Sequence, residues 1–214
     1  KTLSQNIWLN RQKKDKFYQL SKKEGFRSRA AYKLIEIQNK YKIINSKQNI
    51  VDLGSAPGSW SQALVKMLKN KSNSKILAID IKNMKPIEKI IFLKKNIKKI
   101  LEEENLFLPI NNIGLVLSDM APSATGHKFT DQTRSEELCG LALEFACRIL
   151  EEKGNCVMKI LRGNREQSIK KAARKVFKKV EVFKPISSRK ESKEIYLICM
   201  SFNNLHTEKI PLLF

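Results

Sequence analysis

Four charged side chains, Lys33, Asp119, Lys159 and Glu194, stand where charge is costly unless it is used. Asp119 follows the apolar run 113–118, and Lys159 interrupts the run Cys156-Val157-Met158-Lys159-Ile160-Leu161. Glu194 precedes the apolar segment 195–202. Lys33 falls about 60° from Ala30 around a helix, at the border of its apolar stripe. Each has an ordinary explanation alone. A lysine near a strand end snorkels to solvent, an aspartate there caps a turn, and Glu194 could balance a lysine-rich loop. Together they form a Lys–Asp–Lys–Glu set able to orient a hydroxyl and take up its proton.

A second constellation lies upstream. Val51-Asp52-Leu53-Gly54-Ser55-Ala56-Pro57-Gly58 follows an apolar run and precedes a helix expected to begin near Ser59 or Trp60. Glycines in a strand-to-helix turn permit positive φ and let a ligand approach the backbone. A dinucleotide site would show G-x-G-x-x-G, with a pyrophosphate on the helix N-terminus. Here the spacing is D-x-G-x-x-x-G. S-adenosyl-L-methionine carries no phosphate, and a roomier loop passing its methionine portion suits it better. Asp80, ending the next apolar run, is placed to accept hydrogen bonds from ribose hydroxyls. A lone glycine turn that merely packs helix on sheet would not require Asp52, Pro57 and Asp80 around it.

The elements that must position these groups follow from the apolar pattern. Short runs at 49–53, 75–80, 91–94, 113–118, 155–161, 180–183 and 195–202 read as strands, with amphipathic stretches between them. Residues 28–41 place Ala30, Leu34, Ile37 and Tyr41 at helical spacing, with Ser28 as the expected N-cap. Leu138, Leu141, Ala142, Phe145, Ala146 and Ile149 share another helical face, as do Ile169, Ala172, Ala173, Val176 and Phe177. Repeated β–α alternation predicts a parallel sheet covered on both faces. The last two strands are separated only by the loop 184–194, so they should form an antiparallel hairpin at one end. The expected class is α/β: a Rossmann-like class I methyltransferase fold with a seven-stranded, mostly parallel sheet and helices on both faces. In such a sheet ligands bind outside the carboxyl ends of the parallel strands, where Asp119 and Lys159 fall. An antiparallel last strand would bring Glu194 to the same edge. One domain over 1–214 is expected, with a basic N-terminal helical extension at 1–45 and a loose tail at 203–214.

Charge points to the partner. The chain carries 42 Lys and Arg against 21 Asp and Glu, a net charge of +21. Residues 1–50 hold 13 of the basic and 3 of the acidic side chains, so the surplus is unevenly placed. An A+T-rich genome would explain 33 Lys against 9 Arg, but not that placement. A polyanion-binding arm is expected, RNA or DNA ahead of membrane, with Arg11, Lys13, Lys14, Lys22, Lys23, Arg27 and Arg29 on phosphates. Trp8, Phe17, Tyr18 and Phe26 could stack on bases or anchor the arm to the core. Cys139, Cys147, Cys156 and Cys199 show no paired spacing, and His127 and His206 are the only histidines. Buried thiols in a reducing compartment are expected, and no metal site. No apolar run approaches a membrane span, and the chain opens without a secretory pattern.

Four segments together resemble a known family: residues 27–34 (RSRAAYKL), 51–62 (VDLGSAPGSWSQ), 117–122 (LSDMAP) and 188–196 (SRKESKEIY). They are similar to the signature segments of the FtsJ/RlmE ribose 2′-O-methyltransferases, whose bacterial members modify a uridine of 23S (large-subunit) rRNA. The resemblance runs from about Trp8 to Phe202. It implies a K-D-K-E tetrad of Lys33, Asp119, Lys159 and Glu194, and S-adenosyl-L-methionine contacts at Gly58, Trp60, Asp80, Asn96 and Asp119. Ser59 stands where the family commonly has a second glycine. Asn96 replaces a common aspartate at the adenine, and its carbonyl is expected to accept from the adenine amino group, with altered affinity. Lys159 is the expected proton acceptor, because the positive charges of Lys33 and the sulfonium disfavour another ammonium beside them. Asp119 and Glu194 oppose that shift and would orient the lysines and the hydroxyl, so Lys159 either removes the proton outright or mainly positions the oxygen.

Other chemistries fit less well. Amino-group methylation usually uses an Asn/Asp-Pro-Pro-aromatic segment where this chain has Asp119-Met120-Ala121-Pro122. A cytosine C5 enzyme needs a nucleophilic cysteine beside proline, and none of the four qualifies. A tRNA or mitochondrial rRNA substrate, or a non-catalytic RNA-binding assembly protein on the same fold, are the alternatives. A cytoplasmic monomer acting on 23S rRNA, in the large subunit or its precursor, is the expectation.

Overall fold

The computed structural model describes residues 14–68, 72–123, 125–163 and 165–203. Among them are six helices and seven strands. In chain order these are α1 (Lys16–Lys23), α2 (Ala31–Tyr41), β1 (Asn49–Leu53), α3 (Ser59–Leu68), β2 (Ile76–Asp80), β3 (Ile90–Lys94) and α4 (Ile97–Leu101). They are followed by β4 (Ile113–Ser118), α5 (Lys128–Ile149), β5 (Leu150–Leu161), α6 (Glu166–Val176), β6 (Phe177–Phe183) and β7 (Glu194–Phe202). Trp8, Arg11 and Lys13, and the expected tail beyond Asn203, lie outside the described residues.

The strands form one sheet in the order β3-β2-β1-β4-β5-β7-β6. The first five are mutually parallel, and β7 runs antiparallel to both β5 and β6. The expected terminal hairpin is therefore present, with β7 inserted between β5 and β6. Successive side chains of a strand point to opposite faces, and the two faces are covered by different helices. On one face Val51, Leu53, Val116, Met158 and Leu197 pack against α4, α5 and α6. On the other, Ile50, Ile76, Leu115, Leu117, Val157, Tyr196 and Ile198 pack against Ala31, Leu34 and Ile37 of α2 and Trp60, Ala63 and Leu64 of α3. Burying each such large side chain contributes roughly 1.5–3 kcal/mol. The second face carries a set of charged residues. Its alternating rows end in charge: Ile50 leads to Asp52, Ile76 to Asp80, Leu115 and Leu117 to Asp119, Val157 to Lys159, and Ile198 and Tyr196 to Glu194.

Several element boundaries differ from the sequence pattern. β5 begins at Leu150, five residues before the expected start. Residues 151–153 are exposed, Lys153 has φ 65°, and the β4–β5 register shifts there, so a polar irregularity hides the strand's first paired residue. Phe177 does not belong to the face of α6. The helix ends at Val176 and the chain turns directly into β6, where Phe177 packs on Phe202 at 5.4 Å. Ser28 is not the N-cap of α2, which starts at Ala31. Its hydroxyl instead accepts from Ala30 N at 3.2 Å and pairs with the Ser59 hydroxyl at 2.7 Å, tying α2 to α3. Asp15 caps α1, accepting from Phe17 N and Tyr18 N at 3.1 Å each. No helix among the described residues is long and apolar enough to cross a membrane.

Candidate active site

The four charged residues meet at one sheet edge as two lysine–carboxylate pairs. Lys33, from α2, lies 2.7 Å from Glu194 Oε1 and donates to Oε2 at 2.8 Å. Lys159 lies 3.0 Å from Asp119 Oδ1 and donates to the Asp119 carbonyl at 2.6 Å. The register explains the convergence. Lys159 is paired across β5–β7 with Tyr196, and Leu161 with Glu194, so the start of β7 sits at the end of β5. Ser188 donates to Glu194 Oε1 at 2.7 Å and steadies it from the β6–β7 loop.

Tyr196 is a member of this cluster that the sequence reading missed. Its hydroxyl donates to Asp119 Oδ1 at 2.6 Å, and its ring lies 5.7 Å from that of Trp60. Burial, with the adjacent Asp119 and Glu194 charges, pushes the Tyr196 hydroxyl well above its ordinary value, so it stays a neutral donor. Burial also opposes ionisation of Asp119. The Lys159 and Lys33 charges and the hydrogen bonds from Tyr196 and Lys159 overcome it and hold the carboxyl below its usual range. Asp119 is therefore an anion locked between two cations and a phenol. Its position was readable from the two-residue period: Tyr196 follows Glu194 by two on the same strand face.

Asp119 also borders a cavity of about 550 Å³ across the ends of β1, β2 and β4, a size typical of cofactor sites. Gly54, Asp80, Ile81, Asn96, Ile97 and Leu138 are among its lining residues. Gly54, absent from the expected contacts, is required here. Its φ is +70°, and a Cβ would lie 2.7–2.9 Å from Met120. Asp80 accepts from Ala56 N at 2.9 Å and from Lys82 N at 2.8 Å, which fixes the carboxylate on the cofactor loop while leaving lone pairs for hydroxyl donors. S-adenosylmethionine fits this lining, with an acid for ribose, an amide and apolar walls for a purine, and an open glycine backbone.

Three of the expected contacts have partners within the fold. The Asn96 carbonyl caps α4, accepting from Lys98 N at 2.9 Å, which leaves its second lone pair and the exposed Nδ2 amide for a purine. Gly58 is not among the residues of the main cavity; a Cβ there would lie 2.6 Å from Arg27 Nη1 and 2.7 Å from Ile87 Cδ1. Trp60 is buried, donates from Nε1 to the Ala30 carbonyl at 2.9 Å, and borders only a small recess of about 20 Å³ shared with Gly54 and Asp119.

The basic arm divides in two. Arg27 and Arg29 are engaged within the fold: Arg27 with backbone carbonyls, Arg29 with Asp15 and the Ser187 carbonyl. Lys14, Lys22 and Lys23 are exposed. Phe17 and Phe26 pack on Tyr32 at 5.5 and 5.7 Å, so these two aromatics anchor the arm. Cys139, Cys156 and Cys199 are buried free thiols, their acidity suppressed first by burial.

Asp52 lies beneath the cofactor loop, fully buried, with Oδ2 accepting from Ser61 at 2.7 Å and no hydrogen-bond partner for Oδ1. Burial raises its pKa from 3.8 to about 7; the Ser61 hydrogen bond opposes the shift, and the Asp119 and Asp80 charges add to it. The folded protein thus keeps a proton that the unfolded chain releases. This carboxyl's contribution is fully present below pH 3.8 and is lost as pH rises to about 7. Asp52→Asn, which does not titrate, should therefore gain in Tm relative to the parent protein as pH rises across that window. The difference should level off above it, and thermal melts showing a pH-independent difference would contradict the assignment.

The sheet with its antiparallel end, and a cavity whose acidic residues close β2 and follow β4, define a Rossmann-like methyltransferase. The FtsJ-like methyltransferase family matches residues 26–202, and the chain belongs to that family. It is 42% identical over 205 residues to Ribosomal RNA large subunit methyltransferase E of Rickettsia felis, covering 94% of this chain and 90% of the relative. Identity to the protein of the same name from Rickettsia akari is 43%, with the same coverage. The crystal structure of a ribosomal RNA methyltransferase from Plasmodium falciparum matches with a TM-score of 0.73 and 34% identity, covering 83% of this chain and 98% of that one. TrmN from Thermus thermophilus, 13% identical with a TM-score of 0.52 over 82% of this chain and 48% of that one, shares the fold alone.

Proposed function

We propose that the protein methylates a ribose 2′-hydroxyl of large-subunit ribosomal RNA, a uridine, with S-adenosylmethionine as donor. One observation carries the reading: the Lys33–Glu194 and Lys159–Asp119 pairs converge beside a cavity that Asp119 also borders. When bound, S-adenosylmethionine supplies an electrophilic methyl group. Asp80 would hold its ribose, Asn96, Ile81 and Ile97 its adenine, and Gly54 its methionine portion.

The remaining work falls to the tetrad. Lys159 Nζ, once its resting proton has passed to solvent, holds the acceptor hydroxyl and takes up its proton, with Asp119 fixing the amine by its carboxylate and its main-chain carbonyl. Lys33, held by Glu194, faces the same space and stabilises the oxygen as negative charge develops. Placing the hydroxyl in line with the methyl group supplies much of the acceleration. The names of the Rickettsia relatives support large-subunit rRNA as the acceptor.

Large ribosomal subunits lacking the modification, incubated with the protein and methyl-labelled S-adenosylmethionine, should yield label in 2′-O-methyluridine after nuclease digestion. Label in a base-methylated nucleoside, or none, would overturn the assignment.

The exposed lysines of the arm belong to the RNA side of the same reading. Replacing Lys22 and Lys23 by alanine should weaken RNA binding and lower the log–log salt slope by up to about 1.8, roughly 0.9 per lost phosphate contact. An unchanged slope would show that these charges are not part of the RNA footprint.

A further inference from the structure

Arg27 is surrounded by backbone carbonyls. Its Nη1 donates to Pro57 O at 2.7 Å and to Lys85 O at 2.8 Å, and its Nη2 donates to Pro86 O at 2.9 Å. Its own amide donates to Gln62 Oε1 at 2.8 Å, on α3. The three carbonyls come from two irregular segments: the cofactor loop before α3 and the β2–β3 connection. Outside the sheet ladder, such carbonyls need donors from elsewhere. A planar guanidinium presents several in fixed directions, which an ammonium does not. Gly58 makes the space. Its φ of +112° favours glycine, and a Cβ there would lie 2.6 Å from Nη1 and 2.7 Å from Ile87 Cδ1, so the glycine beside Pro57 also leaves room for the guanidinium.

We propose that Arg27 is a clasp for the cofactor loop and not an RNA contact, with Gly58 as its seat. This rests on the cofactor reading above. Arg27 is thus a positioning residue, acting on S-adenosylmethionine through the backbone of 54–58, which Asp80 holds from the other side by way of Ala56 N. It also joins that loop to the segment leading into α2, the helix that carries Lys33.

Three measurements on Arg27→Ala, Arg27→Lys, Gly58→Ala and the Arg27→Ala/Gly58→Ala pair decide the matter. Calorimetric S-adenosylmethionine affinity should fall about tenfold in Arg27→Ala, the loss expected for a few modest hydrogen bonds. Arg27→Lys should recover part of it. Gly58→Ala, strained by its own φ of +112° as well, should lose at least as much as Arg27→Ala, and the pair should lose less than the sum of the two, because the displaced guanidinium cannot be lost twice. Without ligand, amide hydrogen exchange across 54–62 should quicken in each variant. The salt slope of RNA binding should not move.

Affinity unchanged in Arg27→Ala, additive losses in the pair, or a salt slope lowered by about 0.9 would each overturn the proposal. Should Arg27→Ala fail to fold, Arg27→Lys carries the same comparison. Failure of the cofactor reading would look different: the parent protein would bind no S-adenosylmethionine, while hydrogen exchange still reported whether the clasp exists.

Discussion

Lys159→Ala should lose about 10²–10⁴-fold in methyl transfer, the span removed with a positioned acid–base group, while S-adenosylmethionine binds as in the parent protein. The two effects separate because of where the side chain lies. Lys159 is buried and hydrogen-bonded to Asp119, but it is not among the residues bordering the cofactor cavity. Removing it would take away the proposed proton acceptor while leaving Asp80, Gly54 and Asn96 in place. Asp119 keeps the Tyr196 hydroxyl and the nearby Lys33 charge, so the remaining carboxylate is not stranded. Single-turnover transfer and calorimetric affinity, measured on the same preparation, check both halves. Transfer near the parent rate would remove Lys159 from the chemistry.

Asp119→Ala should damage both catalysis and stability. Side-chain exposures of 8% for Lys159 and 17% for Asp119 mark this as a buried pair, and removing one partner strands the other charge. A loss of roughly 3 kcal/mol is expected, which for a chain of this size lowers Tm by about 6–12 °C. The Tyr196 hydroxyl loses its acceptor at the same time. Affinity for S-adenosylmethionine should also fall, because Asp119 borders the cavity. Asp119→Asn keeps an acceptor for Lys159 and Tyr196 and should recover much of the Tm but little of the transfer rate. If Asp119→Ala melts with the parent protein, the ion pair is not holding this edge together.

Much of this was legible in the sequence because it depends on period and parity. The strands at 49–53 and 113–118 coincide with β1 and β4, since Ile50, Val51 and Leu53 in one and the apolar stretch 113–117 in the other are buried on two faces. The antiparallel end followed from two strands with only a loop between them. The convergence of Asp119, Lys159 and Glu194 followed from which ends of which strands carried charge, and Lys33 from its place at the border of the apolar stripe of α2. What the pattern concealed has local causes. Leu150 pairs with Ile113 across a polar irregularity, and Phe177 leaves its helix by a single change of backbone conformation with no loop to announce it.

Side-chain hydrogen bonding was the other blind spot. Residue type gives the donors available but not what they meet. Arg27 and Arg29 read as phosphate ligands, yet one binds carbonyls and the other Asp15. Asn96 offered a carbonyl in sequence, but an asparagine one residue before a helix caps it.

The account's central claim is that this edge of the sheet methylates a ribose oxygen. A 2′-O-methyl group blocks the only internal nucleophile for alkaline cleavage, so the phosphodiester on its 3′ side becomes resistant to base. Alkaline fragments of large-subunit rRNA should be compared from cells carrying the parent gene, no gene, or the Lys159→Ala variant. The prediction is one resistant bond, 3′ of a uridine, present only with the parent gene. Identical ladders in all three, or a resistant bond that persists with Lys159→Ala, would contradict it.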